Sequence, residues 1–345
     1  MSVLRTAGGF SLAYRPRGLA VGAGCAVLAL VAAVFAIGSG SGDYPMSFGQ
    51  VLRTLLGTGD PADEFIVNDV RLPRVATALL VGAALAVAGA VFQSVVRNPL
   101  GSPDVLGFTQ GAATGALTVI VVFGGGSLAL ASGAVVGGLA TGLLIYALAW
   151  RQGVHGYRLV LIGIGITAIL TGVNGYLLTR AQITDAARAV LWITGSLDGR
   201  GWDDAMPLLV AMAVLLPVVL IGCARALHML EMGDDAAFAL GVRVERTRLT
   251  VLAAAVLLVS FGAAAAGPVA FVALTAPQLA RRLTKSPGPN LLPSLCVGAA
   301  LLVTADLAAQ RVFADRQLPV GVVTGVLGGG YLVWLLATER KAGRI

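Results

Sequence analysis

The sequence predicts an all-α polytopic membrane protein of about ten transmembrane helices, and three observations predict it. Of 345 residues, 57% are hydrophobic and 12% charged, against about a quarter charged in an ordinary soluble domain. Mean hydropathy is +0.88, and the apolar residues gather into runs near the roughly 20 residues that a bilayer-spanning helix needs. Glycine occurs 46 times, about twice its usual share, and small residues let helices in lipid pack backbone to backbone.

The first run, 18–38, follows Arg5, Arg15 and Arg17. It is longer than a signal-peptide core and reads as an uncleaved first span. In the polar stretch 39–74, Ser47 and Gln50 have capping-box spacing. Phe48, Val51, Leu52 and Leu55 follow at helical intervals, which predicts a short amphipathic helix on the outer surface. The second span is 75–96. Val105–Trp150 carries no charge and divides at Gly124-Gly125-Gly126-Ser127 into spans 105–123 and 128–150. Spans 159–179 and 205–224 come next. Leu249–Ala280 is again free of charge, and is either one tilted helix or two helices, 249–266 and 267–283, broken at Gly267-Pro268. Spans 291–310 and 317–338 complete the count. The segment VGAALAV (81–87) is echoed by VGAALLV (297–303). In so simple a composition, the echo reads as chance.

Charge decides between the alternatives for 249–283. With two helices there, ten spans place both termini in the cytoplasm, and the inner loops hold 16 of the 24 Lys and Arg. With one helix, Arg340, Lys341 and Arg344 fall outside. Positive residues favour the cytoplasmic side, so the ten-span form is preferred. The chain then reads as one membrane domain, 1–345, with 225–248 as its most structured cytoplasmic loop. The net charge of +7 is read as this topological signal, not as a nucleic-acid footprint.

No catalytic constellation stands out. Cys25, Cys223 and Cys296 are far apart within apolar runs, and His155 and His228 are the only histidines. That argues against a metal, haem or disulfide site. Neither Lys follows a Gly, so there is no phosphate-binding loop, and any ATP with its Mg must sit on another subunit. Polar residues within spans are the functional suspects. Asp306 is either on a translocation path or bonded to a neighbouring helix. Thr167, Thr171 and Asn174 fall at i, i+4 and i+7 and make one stripe, either pore-lining or interhelical. In 225–248, Asp234 as N-cap and Gly241 as C-cap bracket a helix too short to stand alone. Phe238 and Leu240 on it need a surface, either a partner's or that of the chain's own spans. Arg71 and Arg74 flank Pro73 at the outer edge of the second span, where they either grip acidic residues of an extracytoplasmic partner or reach to headgroups.

At these residues the chain resembles a known family. RLPRVATALLVGAALAVAGAVFQSVVRNPLGSPDVLGFTQGA (71–112) is similar to the long, gapless signature of the FecCD-type permeases, which import iron–siderophore complexes, haem and vitamin B12. The match is carried by Arg71, Pro73, Arg74, Gln93, Asn98, Pro99, Leu100, Pro103, Leu106 and Gly107. GPVAFVALTAPQLARR (267–282), with Pro277 and Arg281, and LPVGVVTGVLGGG (318–330), with Pro319 and Gly321, resemble two further family stretches. The regions 148–165 and 229–249 look most like the enterobactin-type members. Gln278 stands where a His is usual, and Gly330 where many members have Pro.

The resemblance implies the siderophore and vitamin B12 importer permease fold, with no catalysis and no cofactor in this chain. It implies a second homologous permease subunit, here as a heterodimer, and two ATPase subunits. Those would dock on Glu231, Met232, Gly233, Asp234, Asp235, Phe238, Leu240 and Gly241. It also implies a siderophore-binding protein outside the membrane, contacting Arg71 and Arg74, and a ferric siderophore of catecholate, enterobactin-like type as cargo. The localisation implied is the bacterial cytoplasmic membrane. Haem or cobalamin is the alternative cargo. An ion-coupled secondary transporter is the rival of a different class. It would need paired ionisable groups at mid-membrane, where only Asp306 is offered. An intramembrane protease would need a nucleophile and base within the bilayer, and neither His lies in an expected span.

Overall fold

Lipid contains no water to bond stray peptide groups, so a spanning chain closes its backbone hydrogen bonds within helices. The computed structural model describes residues 2–5, 11–14, 16–38, 44, 46–150, 156–312 and 317–341. Thirteen helices account for most of them. They are α1 (Pro16–Gly38), α2 (Phe48–Leu55), α3 (Pro61–Val96), α4 (Phe108–Phe123), α5 (Ser127–Ala149), α6 (Gly156–Arg180) and α7 (Ile183–Ile193). Then come α8 (Trp202–Leu230), α9 (Asp234–Ala239), α10 (Val244–Ala266), α11 (Val272–Thr284), α12 (Leu291–Ala309) and α13 (Val320–Lys341). The strands Ser2–Arg5 and Ser11–Tyr14 pair antiparallel ahead of α1, a hairpin that hydropathy does not foretell. The basic residues Arg15, Arg151 and Arg344, and His155, lie outside the described residues.

Among the described residues, seven helices are long and apolar enough to cross a membrane: α1, α3, α5, α6, α8, α10 and α12. α4 and Val320–Leu335 of α13 are shorter apolar helices. The remaining member of the expected ten needs correction. Residues 267–283 do not form a full span, because Gly267 and Phe271 have φ of 72° and 67° and the helix starts only at Val272. The thirteen residues of α11 reach about 20 Å at 1.5 Å per residue, short of the ~30 Å hydrocarbon core. Leu249–Ala280 is therefore broken, as the two-helix alternative requires, but its second half is a half-span.

Three helices contain a turn of π-helix, at Ile66–Arg71 in α3, Val119–Phe123 in α4 and Val218–Cys223 in α8. The turn in α8 directly follows Pro217, whose missing N–H already interrupts the ladder.

Burial ranks the helices. The apolar window of α3 is 83% buried, against 72% for α10 and 61% for α12, while α6 and α8 reach only 17% and 22%. So α3 is the axis of the bundle, packed by α1, α8, α10, α11 and α12, and α6 and α8 are peripheral. Phe92 of α3 stacks on Phe108 of α4 at 5.1 Å. Gly82 of α3 meets Gly298 of α12 so closely that a Cβ on either would strike the other's carbonyl oxygen. The echo read as chance therefore has a structural use: its two copies face each other in an antiparallel pair.

Candidate translocation wall and coupling surface

At one end of the bundle, the spanning part of α3 begins with Arg71 and Arg74, three residues apart. An arginine among apolar helices is tolerable only when its charge and donors are met. Arg74 Nε donates to Asp306 Oδ2 (3.1 Å) and Nη2 to Asp306 Oδ1 (2.9 Å), while Nη1 donates to Gln317 Oε1 (2.7 Å). Nη1 also lies 3.5 Å from Asp198 Oδ1. Gln310 Nε2 donates to Asp306 Oδ2 at 2.7 Å. Arg71 donates to the carbonyls of Ile37 and Tyr44, both at 2.9 Å. Tyr44 Oη donates to Asp63 Oδ1 at 3.0 Å, and that bond, with the carboxylate charge behind it, raises the phenol pKa. Both arginines, expected to grip a partner or reach to headgroups, are here bonded within the chain. Arg74 is only 13% exposed and bound inward. Asp306, expected either on a path or bonded to a neighbouring helix, is 2% exposed and ties α12 to α3.

Deeper in the bundle, α4 and α6 share a polar wall. Asn174 Nδ2 donates to Gln110 Oε1 (3.0 Å), and Thr114 Oγ1 donates to Asn174 Oδ1 (2.7 Å). Asn174 is buried and Thr171 is exposed. Thr167 Oγ1 donates to its own helix at Gly163 O (2.8 Å) and to Val105 O (3.3 Å). The expected stripe therefore splits: Asn174 binds across to α4, Thr167 binds the connection at Val105, and Thr171 is exposed and bonds only its own helix. Gly107, with φ of 87°, turns the chain into α4 against Thr167. Gln110 and Thr114 went unread. They sit at i and i+4 in an otherwise apolar run, the one sequence signal that points to them. Asp104, whose carboxylate accepts from Thr109 Oγ1 at 3.0 Å, was also missed, since it lies in a connection and not in a span.

The family signature forms a brace between α3, α11 and the connection 97–107. Gln93 Nε2 donates to Leu274 O (3.0 Å) and Gln278 Nε2 to Pro99 O (2.6 Å). Leu100 N donates to Asn98 Oδ1 (2.9 Å), and Phe108 N to Pro103 O (3.2 Å). Pro277 lies within α11. Pro319 precedes α13, whose Gly321 N donates to Gly195 O (3.0 Å). Gln278, where the family pattern has His, thus donates to a carbonyl that a histidine N–H would also suit.

The opposite end carries the loop between α8 and α10. Glu231 accepts from Ser94 Oγ at 2.7 Å and lies 3.5 Å from Arg281 Nη2. Asp234 does not cap α9. Gly233, with φ of 115°, is the N-cap, and Asp234 begins the helix. Its two carboxylate oxygens each lie 2.9 Å from Arg248 Nη2, and Arg97 Nη2 is 3.6 Å away. Arg248 Nη1 also donates to Glu245 Oε1 (3.0 Å). Gly241, with φ of 81°, ends the turn beyond Leu240. α9 is thereby fixed to the spans through Arg248 and buried Ala237, while Met232, Phe238 and Leu240 are 62%, 76% and 57% exposed. Asp235 begins the same helix beside Asp234. The helix rests on its own spans through Ala237 and leaves Phe238 exposed, with Met232 and Leu240 exposed beside it.

The model of the FecCD transport family matches residues 28–338. The ferric enterobactin transport system permease protein FepG of Escherichia coli (strain K12) is 47% identical over 304 residues, 87% of this chain and 91% of that protein. The iron(3+)-hydroxamate import system permease protein FhuG of Bacillus subtilis (strain 168) is 38% identical over 319 residues, 89% of this chain and 94% of its own length. A solved inward-facing metal-chelate type ABC transporter superposes with TM-score 0.79 at 27% identity, covering 93% of this chain and 99% of that one.

Proposed function

We propose that this chain, which belongs to the FecCD transport family and is a permease subunit of an ATP-binding-cassette importer, carries a ferric siderophore of catecholate, enterobactin-like type into the cytoplasm by alternating access. The cargo class rests on the relatives, which are permeases for ferric enterobactin and ferric hydroxamate. The catecholate choice follows the 47% identity to the first.

The observation that carries the mechanism is the construction of α9. A helix of six residues is unstable by itself, yet this one is held by Arg248 and leaves Phe238, Leu240 and Met232 uncovered. That suits a surface on which an ATPase subunit rests. Force applied there reaches α10 through Arg248 and α3 through Arg97 and Glu231–Ser94. In this reading α9 and both termini face the cytoplasm, and the Arg74–Asp306 end faces outward. A homologous second permease covers the peripheral helices, two ATPases supply Mg-ATP hydrolysis, and a siderophore-binding protein delivers cargo. Arg71 and Arg74 then act at the outer rim by shaping it, more than by reaching out to that protein. Thr171, exposed on the outer side of α6, lines the route where the second permease closes over that helix.

Uptake of radiolabelled iron into vesicles holding the assembled importer tests the reading. ATP-dependent uptake of a ferric tris-catecholate, indifferent to an uncoupler, is expected. Uptake that survives ATP removal but is abolished by an uncoupler would instead support an ion-coupled carrier.

A further inference from the structure

One cavity of about 340 Å³ opens at the end proposed to face outward, at the lower end of the range for small-ligand pockets. Its chemistry is cationic. Ser127, at the first turn of α5, contributes a helix N-terminus that no side chain caps, so unmet N–H groups and the positive end of the dipole face that way. Arg188 of α7 lines it, is exposed, and donates only to Gly125 O at 3.4 Å, with no carboxylate partner among the described residues. Arg200 also lines it, but is occupied by Ser196 O and Asp204 Oδ1, both at 3.3 Å. The lining carboxylate, Asp198, lies against Arg74. Gln317 adds an amide, itself bonded to Arg74. Trp192 forms part of the wall; it is 6% exposed, and its Nε1 N–H has no acceptor. A buried donor without an acceptor costs about 1–3 kcal/mol, but this nitrogen is closed off from the cavity, so the preference for an anion rests on Arg188 and the helix N-terminus.

We infer that this cavity is an anion-receiving station, which takes one deprotonated catechol arm of the ferric cargo as it enters the membrane. The inference rests on the proposed cargo class. A ferric tris-catecholate carries adjacent anionic oxygens on a flat ring. The guanidinium fork of Arg188 matches paired oxygens better than an ammonium does, and the Trp192 indole supplies an aromatic wall. A neutral hydroxamate complex offers no such charge. The cavity is too small for the whole complex, so it orients cargo and does not store it.

Calorimetric titration of the full chain in lipid nanodiscs, with the delivering protein absent, tests this. The probes are the ferric complex of a tricatechol ligand and, as charge control, a neutral ferric trihydroxamate. Arg188→Gln is expected to weaken the tris-catecholate by about tenfold, Arg188→Lys to recover part of that, and Trp192→Phe to weaken it less. The hydroxamate signal should not change. Arg188 is exposed, so these variants should fold, and an unchanged melting temperature checks this. No binding by the wild type, equal affinities for wild type and Arg188→Gln, or a defect seen only when the delivering protein is present would each overturn the site. Uptake by the assembled importer separates the two ideas. If tris-catecholate is transported but does not bind here, the station is wrong and the cargo reading stands. If tris-catecholate is not transported at all, the cargo reading falls.

Discussion

Arg74 and Asp306, 232 positions apart, form a two-point ion pair of 3.1 and 2.9 Å that joins the first turn of the spanning part of α3 to the last turn of α12. Eight residues further along each helix, Gly82 meets Gly298. One antiparallel interface is therefore clamped by charge at its end and by backbone contact in its middle. Removing one partner of a buried pair strands the other, at about 3–5 kcal/mol. Asp306→Asn is expected to cost near the lower figure, since the amide oxygen still accepts one bond. Thermal unfolding in detergent micelles measures it, and a melting point equal to wild type would show that the pair is dispensable.

The middle of the same interface should tolerate no side chain. Gly298→Val should destabilise by about 1–3 kcal/mol, the usual cost of overpacking. Gly24→Val, where nothing lies within 4 Å, serves as the neutral control in the same melt. Equal losses in both variants would mean that the close contact is not what the glycine provides.

For the α9 surface, Phe238→Asp should abolish co-purification of the ATPase subunit while membrane insertion and thermal melting stay at wild-type values. Loss of insertion as well would assign Phe238 to folding instead.

Arg248 is the rigid link beneath that surface. Its side chain is 4% exposed and bridges Asp234 and Glu245. Arg248→Met keeps much of the volume and removes both bonds. Amide exchange across 234–241 should then accelerate at least tenfold, while exchange in α3 stays as it was. Unchanged protection of 234–241 would place the hold on α9 elsewhere.

The brace at Gln278 makes a smaller prediction. Gln278→Ala leaves the Pro99 carbonyl without its 2.6 Å donor, a loss of about 1 kcal/mol. Gln278→His, the residue usual in the resembling family, should restore most of it, and the two melts read side by side decide the matter.

Local features were legible. The Ser47–Gln50 box closes as its spacing predicts: Ser47 N donates to Gln50 Oε1 at 2.8 Å and Gln50 N to Ser47 Oγ at 3.3 Å. Most of the apolar runs begin and end within a few residues of the helices, the start of α3, the end of α8 and the start of α11 being the exceptions. What depends on distant partners was not legible. Asp234 has the residue type of an N-cap, but Arg248, 14 positions on, claims its carboxylate. No spacing rule connects Arg74 to Asp306. α7 gives no span signal because polar Asp185 and Arg188 dilute its apolar face. The upstream extension of α3 to Pro61 was missed because Asn68, Asp69 and Arg71 break the hydropathy where the helix continues as a π turn.

Each wide turn in α3, α4 and α8 holds one residue more than a regular α-helix would use over that length. If that surplus migrates one turn along the rod, the residues it passes rotate by about 100° and shift by about 1.5 Å, while the helix on either side keeps its place. Such slack points in α3, α4 and α8 allow the side chains near them to turn while the rest of each rod keeps its place. The wall a passing solute meets can then be re-faced while the glycine-locked axis stays still.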